Sequence, residues 1–213
     1  MTKIVRRSIR NFREKPLDKG TLTQIIQNAA NATPSWANSQ PWRVFIATGE
    51  TLEQIRFNHH KKAQRRIPGH ADLNARHRDQ WSPRPQQNIN HWITDFSTYA
   101  MVEKLSDQDN AQTTLYNAPA VVYLTLDQVA PVWSVYDIGA FSQAIMTTAA
   151  EMGIDSMPAY EIIKYPDDIR RFMPIPDSQM IVMGIGLGYR ADNKINEFTS
   201  DRNDSESFLT IQD

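Results

Sequence analysis

The sequence predicts an α/β (α+β) fold, in which β-strands are separated along the chain by helices. Three apolar runs rich in β-branched residues, at 44–48, 118–126 and 180–189, are typical of buried strands. Between these runs, apolar residues recur at the spacing of one helical face. Strands that alternate with helices indicate an α/β domain, and we expect a single domain over residues 1–213.

The first helix is predicted to begin after Asp18, because aspartate is a favourable N-cap. Its apolar residues fall on one face: Leu22, Ile25, Ile26, Ala29 and Ala30. Pro34 biases the preceding residue away from helical backbone angles, so the helix should end near Thr33. The turn-rich segment "PSWANSQPW" at 34–42 then leads into the first strand, and a second helix is expected at about 50–58.

The segment from 59 to about 109 follows neither the helical nor the strand pattern. It contains the polar stretch "HHKKAQRR" and then "SPRPQQN", which carries two prolines. Its aromatic residues are scattered: Trp81, Trp92, Phe96 and Tyr99. A structureless loop of about fifty residues would be unusual in a compact domain. We therefore expect an excursion made of short helices, for example a lid.

Regular patterns return in the second half of the chain. A buried helix is predicted over 134–152, ending at Gly153. A short helix is expected to begin at Pro166, which is followed by two acidic residues in the first turn. The tail at about 191–213 is polar but carries several apolar side chains, which predicts an arm that docks on another surface.

The composition excludes several classes of function. With 213 residues, 40% of them apolar, and a net charge of −1, the chain fits a globular domain and not a strong nucleic-acid binder. It has no cysteine, which excludes disulfides, thiol redox chemistry and cysteine-ligated metal centres. The start lacks a secretory h-region and no apolar run approaches a membrane span, so we expect a cytoplasmic protein without a membrane partner.

The stretch "RRSIRNF", residues 6–12, places three arginines and a hydroxyl close together. In an extended segment, alternate side chains share a side, so Arg6, Ser8 and Arg10 would face the same way. Guanidinium groups and hydroxyls bind phosphate and other anions. A solvated basic terminus is the other interpretation, and the alternation favours an anion site.

The segment "PSWANSQPW" holds short polar groups between two prolines and two tryptophans. These polar residues are Ser35, Asn38, Ser39 and Gln40. An ordinary loop between a helix and a strand is one interpretation. The other is a rigid polar loop that hydrogen-bonds a planar ligand, with Trp36 and Trp42 as packing anchors.

Taken together, "RRSIRNF" and "ATPSWANSQPWRVFI" resemble the opening of the nitroreductase family, the flavin-dependent NAD(P)H oxidoreductases. The resemblance continues through "NAPAVVYL" and "DIGAFSQAIMTTAAEMGIDSMP" to "GIGLGYRADNKINEFTSDR". It fails across about 59–109, where that family varies in length. It implies an FMN enzyme that passes a hydride from NADH or NADPH through flavin N5 to an acceptor such as a nitroaromatic or quinone, in a ping-pong cycle.

The resemblance also implies a central mixed β-sheet flanked by helices, in an intertwined homodimer with two active sites at the interface. It further assigns roles to individual residues. Arg6 and Ser8 would hold the ribityl phosphate, with Arg202 as a second cation. Arg10 would lie by N1 and the C2 carbonyl of the isoalloxazine ring. An always-charged guanidinium there stabilises the negative charge that reduction leaves on the ring.

Two further groups of contacts are implied by the resemblance. Four residues would reach the flavin from the other subunit: Pro34, Ser35, Asn38 and Gln40. Four would lie along its N5 edge: Pro158, Ala159, Tyr160 and Glu161, with the Tyr160 backbone N–H at N5. Many relatives have a second basic residue two positions before Arg202, where this chain has Ser200. We therefore expect either weaker binding of the phosphate or the participation of Arg7 in the phosphate site.

Two alternatives remain open. The same fold could carry another flavin reaction, such as dehydrogenation or dehalogenation. A non-enzymatic binding module could instead use the basic run 59–66, although such a run is usually a solvated face and the net charge opposes binding to nucleic acid. His59 and His60 would point about 100° apart on a helix. We therefore expect neither a metal site nor a nucleic-acid partner.

Overall fold

The protein is described here by a computed structural model that covers residues 6–106 and 109–212. Its sheet has the order β1-β2-β4-β3. The strands are β1 (Arg43–Thr48), β2 (Ala120–Asp127), β3 (Asp155–Pro158) and β4 (Gln179–Gly188). The α/β class predicted from the sequence is confirmed.

The strands of this sheet pair antiparallel throughout the described residues, whereas the family resemblance implies a mixed sheet. A parallel pairing occurs at the isolated bridge between Ser8 and Ser156. The N-terminal segment therefore runs parallel to β3 but adds one bridge in place of a full strand.

Helices cover the sheet and its ends. They are α1 (Lys19–Ala32), α2 (Gly49–Gln64), α3 (Pro83–Val102), α4 (Trp133–Glu151), α5 (Tyr160–Ile163) and α6 (Pro166–Phe172). The Thr21 N–H donates to Asp18 Oδ1 at 2.8 Å, so Asp18 caps α1 as predicted. Among the helices described, none is both long and apolar enough to cross a membrane.

The core lies on both faces of the sheet, because alternate side chains of β2 point to opposite faces. Val121 and Tyr123 pack on the face covered by α2, α5 and α6. Val122 and Leu124 pack on the other face with residues of α1 and α4. All four side chains are fully buried, which explains the uninterrupted apolar run in the sequence.

The segment 59–109 is more regular than the sequence analysis expects. Helix α2 continues to Gln64, so "HHKKAQRR" begins inside a helix. The prediction of short helices is wrong, because α3 is one helix of 20 residues. Pro83 occupies its first position, where a missing N–H costs nothing. No residue of α3 is buried in this chain, although its apolar side chains are gathered on one face about as strongly as those of α1.

Strand β4 holds α5 close to the sheet through its glycines. A Cβ atom at Gly184 would collide with the Ile162 side chain, and one at Gly188 would lie 2.6 Å from Pro119 Cδ. The absence of a side chain at these glycines therefore allows the close approach. It fixes α5, and with it Tyr160 and Glu161, against the sheet.

Candidate active site

The N-terminal segment is built into the fold and is not a solvated tail. The Ile9 N–H donates to the Ser156 carbonyl at 3.0 Å, and the Phe12 N–H donates to the Tyr116 carbonyl at 3.0 Å. The Ile9 side chain is fully buried. Since Ile9 points inward, its neighbours Ser8 and Arg10 are left to line the surface beside β3.

A cavity of about 320 Å³ lies on this segment, and we call it the arginine cavity. It is lined by Arg6, Arg7, Ser8, Arg10, Phe198, Thr199, Ser200 and Arg202. Four of these residues are arginines, and no acidic side chain of the described residues is among them. The predicted partners Arg6, Ser8 and Arg202 are therefore brought together, although nearly two hundred positions separate the two ends of the set.

Arg6 has a donor to spare. Its Nη1 atom is buried and has no hydrogen-bond partner within residues 6–106 and 109–212. Burial lowers the pKa of Arg6, and the positive charge of Arg202 lowers it further. A buried donor without an acceptor is costly, and two neighbouring cations repel each other. An anion in the arginine cavity would relieve both costs, so these residues fit the phosphate of a cofactor such as FMN.

Ser200 replaces the expected second basic residue and has a visible task. Arg202 Nη1 donates to the Ser200 hydroxyl at 2.9 Å and to the Ser200 carbonyl at 3.1 Å. The serine therefore orients Arg202 toward its own turn. Arg7 lines the cavity, but its guanidinium donates to the carbonyls of Asn196 and Glu197 at 2.8 and 2.9 Å. Arg7 therefore ties the N-terminal segment to the start of the C-terminal arm.

Arg10 is held between aromatic rings. Its Cζ atom lies 5.5 Å from the Phe96 centroid and 5.3 Å from the Phe198 centroid, which are favourable cation–π distances. Burial lowers the pKa of Arg10, while the nearby Tyr116 raises it. Phe96 belongs to α3, so the 59–109 segment contacts Arg10, the residue that the resemblance places beside the flavin ring.

Asn196 is a residue that the sequence analysis did not identify. Its Oδ1 accepts from the N–H groups of Arg10 and Asn11, and its Nδ2 donates to the Asn11 carbonyl. It is buried, so these bonds fix the backbone that carries Arg10. Asn196 is one of three asparagines in the tail at 191–213, and no motif distinguishes it from the other two.

Tyr116 lies between the two predicted ring contacts, Arg10 and Tyr160–Glu161. Burial raises the pKa of Tyr116, as does the charge of Glu161, while Arg10 lowers it. Leu115, Tyr116 and Asn117 have φ values of 53°, 59° and 57°, three successive residues in the left-handed region. Such backbone is unfavourable for Leu and Tyr and is typical of functional sites.

The turn between β3 and α5 presents an unpaired amide. The Ala159 N–H donates to the Gly184 carbonyl at 3.1 Å, which anchors the turn after Pro158. The next amide, Tyr160 N–H, begins α5 and has no acceptor within the described residues. The Tyr160 side chain is 39% exposed. An amide that is free beside an exposed aromatic side chain fits the predicted contact with flavin N5.

Glu161 turns inward instead of lining the surface. His59 Nε2 lies 3.0 Å and Lys164 Nζ 3.2 Å from its Oε1, while Gln112 Nε2 donates to its Oε2 at 3.1 Å. Burial alone would raise the pKa of Glu161. Hydrogen bonds from His59 and Gln112, with the charges of His59 and Lys164, outweigh burial and lower that pKa. Glu161 is thus an internal carboxylate that fixes the turn.

A second cavity of about 880 Å³ opens beside Glu161. Its polar lining includes His60, Asn110, Gln112 and Lys164. Gln112 is another residue missed by the sequence analysis, since "AQTT" matches no motif. The cavity provides room beside Glu161, and the side-chain amides of Asn110 and Gln112 belong to its lining.

The loop at 34–40 forms a separate surface. The Gln40 N–H donates to Ser35 Oγ at 2.9 Å, and Gln40 Nε2 donates to Asn38 Oδ1 at 3.1 Å. Asn38 and Gln40 have positive φ values of 58° and 44°, an uncommon backbone conformation for residues other than glycine. No residue of this loop lines the arginine cavity in the described chain. Pro34, the first residue of the loop, is exposed.

The two tryptophans of this loop behave differently. Trp42 stacks on Phe141 with ring centroids 4.4 Å apart, so it is the packing anchor predicted. Trp36 is 67% exposed, so the same prediction is wrong for Trp36 in this chain. Only its backbone is held, by hydrogen bonds from its N–H to Asp137.

The basic run on α2 is partly used inside the chain. His59 is buried against Glu161, and Lys62 Nζ lies 2.8 Å from Asp168 Oδ2. Lys61, Arg65 and Arg66 remain at the surface. Internal ion pairs therefore account for part of the run, which weakens the alternative of a nucleic-acid surface.

The fold and the site together define a class: an α/β domain with a basic anion cavity and a free backbone amide on one edge of the sheet. The chain belongs to the nitroreductase family, whose sequence profile matches residues 5–189. The resemblance noted from the sequence is thereby confirmed.

Named relatives agree with this assignment. The chain is 26% identical to a 4-nitrobenzoate reductase of Pseudomonas putida, over 95% of this chain and 90% of the relative. It is 28% identical to a chloronitrobenzene nitroreductase of Comamonas testosteroni, over 97% and 93%. The fold matches the crystal structure of the FMN-dependent nitroreductase NfnB from Mycobacterium smegmatis in complex with NADPH, with a TM-score of 0.86, 21% identity, and coverage of 98% and 95%.

Proposed function

We propose that this protein is an FMN-dependent oxidoreductase that uses NADPH or NADH to reduce nitroaromatic compounds. The observation that carries the proposal is Arg6 Nη1, a buried donor without an acceptor in the described residues, in a cavity shared with Arg202. The two named nitroaromatic reductases that align over nearly the whole chain support the substrate class.

The chain's own residues divide the work of holding the cofactor. Arg6, Ser8 and Arg202 bind the phosphate, because they line one cavity with spare donors. Arg10 keeps a positive charge near the pyrimidine edge of the ring, where Phe96 and Phe198 hold its guanidinium in place. The Tyr160 N–H orients the N5 edge. When bound, FMN supplies a two-electron carrier that takes a hydride from the nicotinamide and gives it to the acceptor.

In this proposal the reaction is a ping-pong cycle, in which the nicotinamide leaves before the acceptor enters the same pocket. Quinones would then be alternative acceptors, because they are planar and accept hydride or electron pairs at a comparable distance from the ring. The described site contains no free acid poised over the turn, since Glu161 is engaged by three partners. Solvent would supply the protons for the acceptor.

We further propose that the working unit is a homodimer. Three residues at the start of α4 are strongly exposed: Val132 (88%), Trp133 (60%) and Tyr136 (71%). Trp36 extends this apolar surface, and Phe208, Leu209 and Ile211 leave the end of the arm apolar and exposed. A patch of this kind is typical of an interface. A second chain would cover it and bring Ser35 and Asn38 to the flavin.

The flavin content of the purified protein tests this function directly. We expect a yellow protein, or one that becomes yellow on titration with FMN, with one FMN per chain. NADPH or NADH should then bleach the flavin band, and a nitroaromatic acid should restore it. A protein that shows no flavin spectrum even in excess FMN would exclude the proposal.

A further inference from the structure

His59 is buried in a place where the sequence predicts a solvated histidine. It lies in the polar run of α2, yet it is 3% exposed, and its ring packs 5.1 Å from the Tyr165 ring. A buried polar group is costly unless it is hydrogen-bonded. Its Nε2 meets this requirement at Glu161 Oε1, 3.0 Å away. Because an ionised carboxylate only accepts, the histidine donates in this pair.

The Glu161 carboxylate is held from three directions. His59 belongs to α2, Gln112 lies in the segment before β2, and Lys164 is the residue that follows α5. These contacts engage both carboxylate oxygens. They hold the Glu161 side chain in place and so restrain the backbone on the C-terminal side of Tyr160.

The Tyr160 amide belongs to the first turn of a helix of only four residues. Such a helix cannot fix its own start by internal hydrogen bonds. The direction of the Tyr160 N–H therefore depends on what holds its neighbours. Ala159 is bonded to Gly184 on one side, and Glu161 is bonded to His59 on the other.

We propose that His59 is a positioning residue, which acts through Glu161 to aim the Tyr160 N–H at the N5 edge of the bound flavin. This inference rests on the proposed function and deepens it. His59 itself touches neither the cofactor nor the acceptor. Its contribution is to make the amide direction independent of thermal motion in a short helix.

The proposal makes a specific prediction about the oxidation states of the cofactor. Flavin N5 accepts a hydrogen bond when oxidised and carries a hydrogen when reduced. An aimed N–H therefore stabilises oxidised FMN more than reduced FMN. A general packing defect would weaken the binding of both forms alike.

The test is to measure the dissociation constant of oxidised FMN and the midpoint potential of the bound flavin in His59→Ala. We expect oxidised FMN to bind about tenfold more weakly, the loss of roughly one well-formed hydrogen bond. If the binding of reduced FMN is unchanged, a tenfold loss corresponds to a potential raised by about 30 mV. His59→Gln keeps a donor and should recover most of the difference.

Gln112→Ala is the second variant, because it releases the other oxygen of Glu161 and should shift the potential in the same direction. It decides the question if His59→Ala fails to fold. His77→Ala is the matched control, since His77 Nδ1 also pairs with a carboxylate, Asp79 at 2.6 Å, but at an exposed site. It should leave affinity and potential unchanged.

The possible outcomes separate the two levels of the proposal. If the wild-type protein binds no FMN, the proposed function fails and this inference with it. If the wild-type protein binds FMN and the folded variants lose affinity without a shift in potential, or lose only thermal stability, the role of His59 is packing alone. A raised potential in His59→Ala and Gln112→Ala, recovered in His59→Gln, supports the positioning role.

Discussion

The Ile9 amide donates to the Ser156 carbonyl at 3.0 Å, and this bond joins the two halves of the site. Ile9 lies in the arginine segment, and Ser156 lies on β3, which leads directly to Tyr160. The parallel bridge between Ser8 and Ser156 aligns the two segments. This backbone contact therefore links the segment proposed to bind the phosphate to the segment proposed to bind the ring, although 147 positions separate Ile9 from Ser156.

Arg6→Ala should weaken FMN binding without changing its potential. The phosphate has the same charge in oxidised and reduced FMN, so both forms lose the same contact. Loss of one charge-assisted hydrogen bond costs roughly 1.5–3 kcal/mol, or about 10- to 100-fold in the dissociation constant. Fluorescence titration with FMN and with riboflavin measures the effect. Riboflavin lacks the phosphate, so an equal loss for riboflavin would contradict the assignment.

Arg10→Ala should lower the potential of the bound flavin. The guanidinium stabilises the negative charge that reduction places on the ring, so its removal weakens the binding of reduced FMN more than that of oxidised FMN. Each tenfold difference corresponds to about 30 mV. Redox titration with indicator dyes measures the shift.

Phe96→Ala provides an indirect test of the same assignment, because it removes one ring from beside Arg10. It should shift the potential in the same direction as Arg10→Ala, by less. Trp81→Ala is its control, because the Trp81 indole N–H donates to the Arg76 carbonyl on an exposed segment. An unchanged potential in Arg10→Ala would remove Arg10 from the ring site.

Arg7→Ala should act on the arm more than on the cofactor. The Arg7 guanidinium donates two hydrogen bonds to the carbonyls of Asn196 and Glu197, in the first part of the arm. We expect faster proteolysis at 197–212 and a lower melting temperature, with FMN affinity changed less than in Arg6→Ala. Limited proteolysis of the FMN-loaded protein measures the first effect. An affinity loss as large as that of Arg6→Ala would show that Arg7 grips the phosphate.

Trp133→Glu should dissociate the dimer and remove FMN together. A charge on a side chain that is 60% exposed in one chain has little effect unless a partner covers it. An intertwined interface should bury more than about 2,000 Å² in total. Sedimentation with detection at the flavin band measures both properties. Phe57→Glu, a comparable exposed aromatic on α2, is the control, and a monomer that retains one FMN would contradict the shared site.

Glu161→Gln should reduce stability most at neutral pH. The pKa of Glu161 is lowered in the fold from its ordinary value of 4.5, so its ionised form stabilises the folded state above that value. This contribution is lost as the pH falls through the folded pKa. Denaturant unfolding at several pH values should therefore show the two proteins converging in acid. A constant difference at all pH values would mean that Glu161 stabilises the fold through packing and not through its charge.

The long elements and the anion segment could be predicted from local sequence. Asp18 and Pro34 bound α1, and the apolar runs mark β1, β2 and β4, because capping, proline geometry and side-chain alternation act over a few residues. The alternation of Arg6, Ser8 and Arg10 could be recognised for the same reason. Strand β3 could not be predicted, because its four residues include Asp155 and Pro158 and gain their strand geometry only from pairing with β4.

The tertiary structure decided which polar residues matter. In the sequence His59 resembles its neighbours in a basic run. Its burial is possible only because the fold places Glu161, 102 positions away, within hydrogen-bonding distance. Likewise, Phe96 of α3 packs on Arg10 and Phe198, which are distant from it in the sequence. The sequence by itself determined the family, the main helices and strands, and the arginines. Long-range hydrogen bonds, which leave no local periodicity in the sequence, determined where the Tyr160 amide lies relative to the arginine cavity.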